Sequence, residues 1–156
     1  MNLTDKISQY CTYGEAIRSE TANRLGIENI PNEEQLEAMK QVATNVFDKI
    51  REQFGPLHVN SFFRSPTLNN STPGASKTSQ HQKGEAIDMS IIGRNAEIFR
   101  WVKGNLDFDK LIYEFGTKEE PAWVHCSYVS YRPNRKEVFR AFVDQEGNIR
   151  YIPFDL

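Results

Sequence analysis

The stretch Ser79–Asp88, which reads SQHQKGEAID, decides the fold because it joins a polar loop to a strand. His81 precedes Asp88 by seven residues, and Gly84 lies between them. Side chains on one helix meet at spacings of three and four, so a spacing of seven does not suit a helix. It favours a loop that delivers His81, a turn at the glycine, and a strand that carries Asp88.

Polarity alternates after Gly84, and this alternation predicts the strand. Ile87 and Met89 take one face, while Asp88 lies on the other face among small residues. An aspartate in mid-strand needs a partner, because a buried carboxylate without one is costly. A metal shared with His81 would be such a partner. The alternative is an aspartate that pairs with an arginine or caps a loop, with a histidine on the surface.

A second histidine, His125, lies in the apolar run PAWVH, which is typical of another strand. Zinc catalysis commonly uses three protein ligands drawn from His, Asp and Glu, and leaves a fourth position for water. His81, Asp88 and His125 would form such a set. Glu114, upstream in LIYEF, is a further carboxylate that could take a proton from that water.

Which carboxylate could act as the general base depends on how two predicted strands pair. A hairpin between residues 108–115 and the His125 strand would bring Glu114 close to His125. Whether their side chains share a face depends on register, since a slip of one residue reverses it. Glu119 and Glu120, in the intervening loop, are the competing candidates.

These motifs resemble the zinc D-Ala-D-Ala carboxypeptidase superfamily. That group includes zinc DD-peptidases, vancomycin-resistance D,D-dipeptidases, phage L-alanyl-D-glutamate endolysins and the hedgehog signalling domain. The resemblance rests on H-x-x-G-x-A-x-D followed by W-x-H, and on SETANRLGIENIPNEEQ and SFFRSPTLN. These last two look like the phage and bacterial DD-carboxypeptidase-like branch. The resemblance implies an α+β fold with a small antiparallel sheet, helices packed on one side and the zinc site on the sheet.

The resemblance also implies roles for single residues. It makes His81, Asp88 and His125 the zinc ligands and Glu114 the general base. Arg64 occupies the position of an arginine that binds a substrate carboxylate. A guanidinium offers that carboxylate a planar fork that lysine does not match, although a structural pairing with an acid is the alternative.

Ser79 matches a serine two residues before the first ligand, and we assign it with Arg64 to substrate binding. Two departures from the family pattern stand out. Phe62-Phe63 replaces Gly-Tyr before the arginine, which predicts a changed pocket wall. Trp123 stands where several members carry a histidine that stabilises the oxyanion, so that role is unfilled or belongs to another donor.

The composition limits the class of protein. The chain has 156 residues and a net charge of −2 without a basic block, which argues against nucleic acid as a partner. It has no apolar run long enough for membrane insertion, and its N-terminus does not resemble a signal peptide. We therefore expect a single domain over residues 1–156, a monomer made in the cytoplasm. The phage branch implies release by lysis or carriage in a virion.

Local signals predict the other elements. A capping box at Thr12 begins a helix that ends near Gly26, and Asn32 caps a second helix. Cys11 and Cys126 are expected to be buried free thiols, and His58 a surface histidine. The remaining predicted elements are the helix 33–54, a strand 57–63, a polar loop 65–79, a helix 95–102 that ends at Gly104, and a terminal hairpin (138–143 and 149–153) that serves as scaffold or as an edge for a partner.

The sequence thus predicts a zinc metallopeptidase that hydrolyses peptidoglycan stem peptides containing D-amino acids, with D-Ala-D-Ala carboxypeptidase activity as the first interpretation. One alternative is an endopeptidase of the L-Ala-D-Glu type. Another is a zinc-containing binding or virion domain that does not cleave. A domain without metal, in which the motifs arise by chance, is the third.

Overall fold

The computed structural model describes residues 1–155, and a six-stranded sheet lies at its centre. The order across the sheet is β1-β2-β4-β3-β5-β6. The α+β class predicted from the sequence is confirmed. The strands are β1 (His58–Ser61), β2 (Ala86–Ser90), β3 (Lys110–Glu114), β4 (Trp123–Ser127), β5 (Glu137–Val143) and β6 (Ile149–Pro153).

Six α-helices accompany the sheet, and a π-helical segment, Ala43–Phe47, joins two of them into one continuous helix. Within residues 1–155 none of them has both the length and the apolar character needed to cross a bilayer. The helices are α1 (Tyr13–Ile17), α2 (Glu20–Leu25), α3 (Glu33–Val42), α4 (Asp48–Phe54), α5 (Pro66–Asn70) and α6 (Asn95–Asn105).

The sheet is mixed, because β3 and β5 pair in parallel while the other neighbouring pairs are antiparallel. The antiparallel sheet that the resemblance implied is thus observed at every pair except this one, which is parallel. After β4 the chain passes the start of β3 through residues 128–136 and enters the sheet on the far side of β3. Because β5 reverses the direction of β4, and β4 is itself antiparallel to β3, β5 runs parallel to β3.

The two faces of the sheet differ in what lies against them. One face carries the apolar side chains of β2, β3 and β4 and packs against α3 and α6. Cys126 lies on this core face and is buried as a free thiol, as is Cys11, in agreement with the sequence prediction. The opposite face of these strands carries Asp88, Glu114 and His125 and opens onto a cavity.

Two capping boxes fix where helices begin, as predicted. Thr12 and Glu15 bond reciprocally at α1, and Asn32 and Gln35 do so at α3. The first predicted helix is broken, however, because Ser19 caps a new helix, α2.

Two further predictions need correction. The segment 65–79 is not a plain loop, since Ser65 caps the short helix α5 with Pro66 at its first position. Helix α6 runs through Gly104 to Asn105 instead of ending at the glycine.

Candidate metal centre

His81 is held at the start of the motif by a short 3₁₀ turn, Gln80–Lys83. Ser79 caps this turn, and its hydroxyl oxygen accepts the His81 backbone N–H at 3.2 Å. Gly84 ends the turn with a φ of +74°, in the left-handed region that favours glycine. A Cβ at Gly84 would lie 2.5 Å from the carbonyl oxygen of Gln35, so α3 packs directly on this backbone. The motif therefore needs a glycine here.

Strand pairing brings Asp88 next to His125. The two residues face each other across β2 and β4, with His125 Nδ1 2.9 Å from Asp88 Oδ1. On the other side of the carboxylate, His81 Nε2 lies 3.2 Å from Asp88 Oδ2. All three side chains are buried, and the three form one cluster that could hold a metal ion.

The tautomer of His81 tests whether a cation fits. Its Nδ1 lies 2.6 Å from the carbonyl oxygen of Phe62, which can only accept, so Nδ1 carries the proton and donates it. In the neutral ring Nε2 then presents a lone pair to the Asp88 carboxylate, which is also an acceptor. Two buried acceptors in contact need a shared proton or a metal ion between them. A carbonyl that holds the distal nitrogen is also the usual support of a metal-bound histidine.

The spacing of the donor atoms is compatible with one shared metal ion. His125 Nδ1 lies 2.9 Å from one carboxylate oxygen of Asp88 and His81 Nε2 lies 3.2 Å from the other, and one ligand atom from each residue lies within 4.8 Å of the other two. Burial raises the pKa of Asp88, but His81 and His125 in their charged forms outweigh it and hold this pKa well below its usual range, and a bound cation would act in the same direction. Asp88 therefore remains an anion ready to bind a cation.

Glu114 lies outside the cluster but on the same face. Ile112 pairs with His125 and Glu114 pairs with Trp123, so the register turns Glu114 toward the cavity. Burial raises the pKa of Glu114 to about 7, and Asp88 adds to the rise while His125 and Arg64 oppose it. A carboxyl group with this pKa can accept and return a proton near neutrality.

The competing bases lie elsewhere. The Glu120 carboxylate accepts the backbone N–H of Ala96 at 2.7 Å, which stabilises the first turn of α6. Glu119 is exposed in its loop, and neither residue lines the cavity. His58 is exposed on β1, as predicted.

Arg64 faces the same cavity. One guanidinium nitrogen donates to Ser79 Oγ at 3.3 Å, and the Arg64 backbone N–H donates to the carbonyl of His81 at 3.2 Å. Ser79 thus positions both Arg64 and His81. Arg64 has no carboxylate within ion-pairing distance anywhere in residues 1–155, and its buried Nε has no hydrogen-bond partner there. The structural alternative, in which Arg64 pairs with an acid, is therefore not observed.

The cavity has a volume of about 920 Å³ and extends well past the cluster. Lys110, Arg132 and Arg135 line its further end. There Asp109, fully buried, accepts from both arginines and ties the 128–136 crossover to the sheet. The volume suits an extended peptide more than a single amino acid.

The departures from the family pattern have separate consequences. Phe62 and Phe63 are buried in the core and do not line the cavity, so the expected change of the pocket wall is not found. Phe62 instead supplies the carbonyl that holds His81. Trp123 does line the cavity, but its Nε1–H is buried and has no partner in the described chain.

A family model described as Peptidase M15 matches residues 9–127, well over half of the chain. The chain belongs to the peptidase M15 family. The match contains the cluster, Glu114 and Arg64, and it ends at the last residue of β4. This M15 chain is therefore a peptidase, of a family that is typically zinc-dependent, and the resemblance inferred from the motifs is confirmed. No curated protein matches the chain.

Part of this M15 site was missed by sequence reasoning. The terminal hairpin β5–β6 is more than scaffold, because Phe139, Ile149 and Tyr151 line the cavity. Alternation places Ile149 and Tyr151 on one face of β6, but no local signal shows which part of the sheet β5 joins. A pairing between distant strands leaves little trace in the residues themselves.

Proposed function

We propose that this M15 peptidase is a zinc-dependent D-Ala-D-Ala carboxypeptidase that acts on the stem peptides of peptidoglycan. One observation supports this most: the His81–Asp88–His125 cluster, the separate carboxylate of Glu114 and the unpaired guanidinium of Arg64 all open onto one cavity. A metal, a base and a carboxylate receptor are the parts that such a reaction needs.

His81, Asp88 and His125 would hold the zinc. When bound, zinc acts as a Lewis acid on a carbonyl and lowers the pKa of water toward neutrality. Asp88 is the single anion among the three, so the site as a whole keeps a positive charge. The cavity face of the sheet would hold the scissile bond between the cluster and Glu114.

Glu114 moves the proton. It takes one proton from the attacking water as the new C–O bond forms, and delivers it to the amide nitrogen as the C–N bond breaks. Its pKa of about 7 suits both steps, because the group is neither too weak a base nor too weak an acid near neutrality.

Arg64 selects the end of the substrate. Its planar fork would bind the C-terminal carboxylate in two parallel hydrogen bonds, which favours removal of a terminal residue. Ser79 keeps the guanidinium in place through its hydroxyl. The preference for D-amino acids is carried over from the family resemblance. Endopeptidase action, with Arg64 on an internal acid such as D-Glu, is the alternative that the long cavity favours.

The site of action is also a proposal. The chain would be made in the cytoplasm and reach the cell wall through lysis or as part of a virion. This proposal rests on the phage branch of the family alone.

The test is mass spectrometry of purified muropeptides incubated with zinc-loaded protein. We expect loss of one terminal D-alanine with the wild type, and no loss with Glu114→Gln, which still binds zinc. Glu119→Gln, an exposed control in the neighbouring loop, should cleave like the wild type. Internal cleavage would show an endopeptidase instead. A zinc-bound wild type that leaves every muropeptide intact would overturn the catalytic proposal in favour of a binding domain.

A further inference from the structure

The terminal hairpin forms one wall of the cavity, although it lies beyond the residues matched by the family. Strand β5 joins the sheet beside β3, and β6 follows at the edge. Ile149 of this hairpin approaches the opposite wall, since a Cβ built on Gly74 would lie 2.7 Å from its Cδ1. The hairpin is therefore part of the site and not an appendage to it.

Tyr151 lies in register with the proposed base. Glu114 pairs with Ala141 on β5, and Ala141 pairs with Tyr151 on β6. Directly paired residues in neighbouring strands present their side chains on the same face. Tyr151 and Glu114 thus face the cavity together, with their backbones roughly 10 Å apart across the sheet, which is two strand spacings.

Ala141 leaves room between them. Its side chain is a single methyl group and is fully buried, so the residue between Tyr151 and Glu114 in this row adds little bulk between them. Tyr151 itself is about half exposed and lines the cavity, so a ligand can reach it.

The charges around the phenol come from the site. Burial raises the pKa of Tyr151, the carboxylates of Glu114 and Asp88 raise it further, and Arg64 partly opposes them. The phenol is therefore close enough to the site for these charges to act on it, and it keeps its proton at neutral pH. A protonated phenol donates a hydrogen bond to an oxygen that gains negative charge.

No other member of this cross-strand row offers such a donor. Trp123, at the other end of the row beside Glu114, lines the cavity with its ring, but its N–H is buried from solvent. Ala141 has no polar atom, and Glu114 is occupied with the proton transfer.

We propose that Tyr151 is a catalytic residue whose hydroxyl donates a hydrogen bond to the scissile carbonyl oxygen as negative charge develops on it. The inference rests on the proposed function. Tyr151 forms no covalent bond and gives up no proton; it stabilises the tetrahedral state, in which the carbonyl oxygen carries the charge.

The test compares Tyr151→Phe, which removes only the hydroxyl, with the wild type in steady-state hydrolysis of a muropeptide. We expect kcat to fall by about 100-fold with KM changed less than about threefold, because the bond forms in the transition state. The acid limb of the pH profile should remain where it is in the wild type, since Glu114 is untouched. Tyr10→Phe is the control and should leave kcat unaltered, because Tyr10 lies outside the cavity with Arg51 over its ring.

The possible failures can be told apart. A wild type that cleaves nothing overturns the proposed function, and this inference with it. An active wild type and an equally active Tyr151→Phe overturn the inference alone. A rise in KM at constant kcat also overturns it, because the hydroxyl would then contribute to substrate binding only. A shifted acid limb would assign the loss to a disturbed Glu114 and overturn the inference as well.

Discussion

Glu114 and His125 occupy diagonal positions on neighbouring antiparallel strands, because the residue that pairs with His125 is Ile112. Diagonal neighbours on one face lie about 7 Å apart, close enough for long side chains to share a ligand. This offset places Glu114 beside the cluster and outside it. A carboxylate in direct register with His125 would be positioned to become a ligand, and it could not then serve as the separate base that we propose.

The first prediction concerns pH. If Glu114 is the base, kcat/KM should rise with pH through an apparent pKa near 7, because burial raises the pKa of this carboxyl from 4.5 to about 7 and only the ionised form accepts a proton. Initial rates at subsaturating substrate from about pH 5 to pH 9 would measure it. An acid limb near 4.5, the value of an ordinary glutamate, would contradict the assignment.

The second prediction concerns stability. The folded state holds the Glu114 proton more tightly than the unfolded state, so ionising Glu114 destabilises the fold. The penalty is absent below about pH 4.5, grows up to about pH 7 and is complete above it. Glu114→Gln should therefore raise the free energy of unfolding by roughly 1–3 kcal/mol at pH 8 and by much less at pH 5. Urea unfolding of metal-free protein would test this, and an equal gain at both pH values would argue against it.

The third prediction concerns the metal. Wild-type protein should bind one zinc ion, and a thousandfold excess of zinc over its dissociation constant should stabilise the fold by about 4 kcal/mol. His81→Ala and Asp88→Asn should lose both the ion and this stabilisation, whereas His58→Ala, at an exposed position on β1, should keep them. Metal analysis and thermal melts with and without chelator provide the measurements. Full zinc content in His81→Ala would remove this histidine from the ligand set.

The fourth prediction concerns Arg64. Arg64→Lys keeps the charge but loses the fork, so KM for a substrate with a free C-terminal carboxylate should rise about 10- to 100-fold. Arg94→Lys is the control, because Arg94 is exposed and pairs with Glu97 away from the cavity. Amidation of the substrate's C-terminus should impair the wild type and have little further effect on Arg64→Lys. If amidation impaired the wild type and Arg64→Lys equally, a group other than Arg64 would bind the carboxylate.

The fifth prediction concerns the glycine of the motif. Gly84→Ala would place a methyl group against the backbone of Gln35 in a left-handed conformation, so it should destabilise the fold by more than about 1 kcal/mol and weaken zinc binding. Gly104→Ala should instead stabilise the fold by about 0.5–1 kcal/mol, because Gly104 lies in α6 with open space around it. Denaturant melts of both variants would compare them. Unchanged zinc binding by Gly84→Ala would show that this turn is not needed to position the metal ligands.

Local features of this fold could be predicted from the sequence, and the reason is physical. The caps at Thr12 and Asn32 depend on residues three positions apart, and the face of Asp88 follows from alternation within one strand. The family and the α+β class followed from motifs with fixed spacing. The assignments of ligands, base and substrate-binding residues remain predictions, although the structure brings all of these residues to one cavity.

Features that depend on distant partners could not be predicted. The parallel pairing of β3 with β5 joins segments separated by a crossover, and the row from Glu114 through Ala141 to Tyr151 exists only after that pairing. The register of β3 on β4 was also open, because both possible faces were compatible with the alternation of residues 108–115. The helix α5 escaped prediction because five residues give too short a periodic signal.

The crossover through residues 128–136 has a consequence for the order in which the protein matures. A chain leaves the ribosome from its N-terminus, and β2, β3 and β4 can pair before β5 and β6 have been made. The His81–Asp88–His125 cluster could thus assemble early, while the wall that carries Tyr151 docks last. If Tyr151 acts as we propose, a nascent chain in which the hairpin has not yet docked would be less active than the fully folded protein.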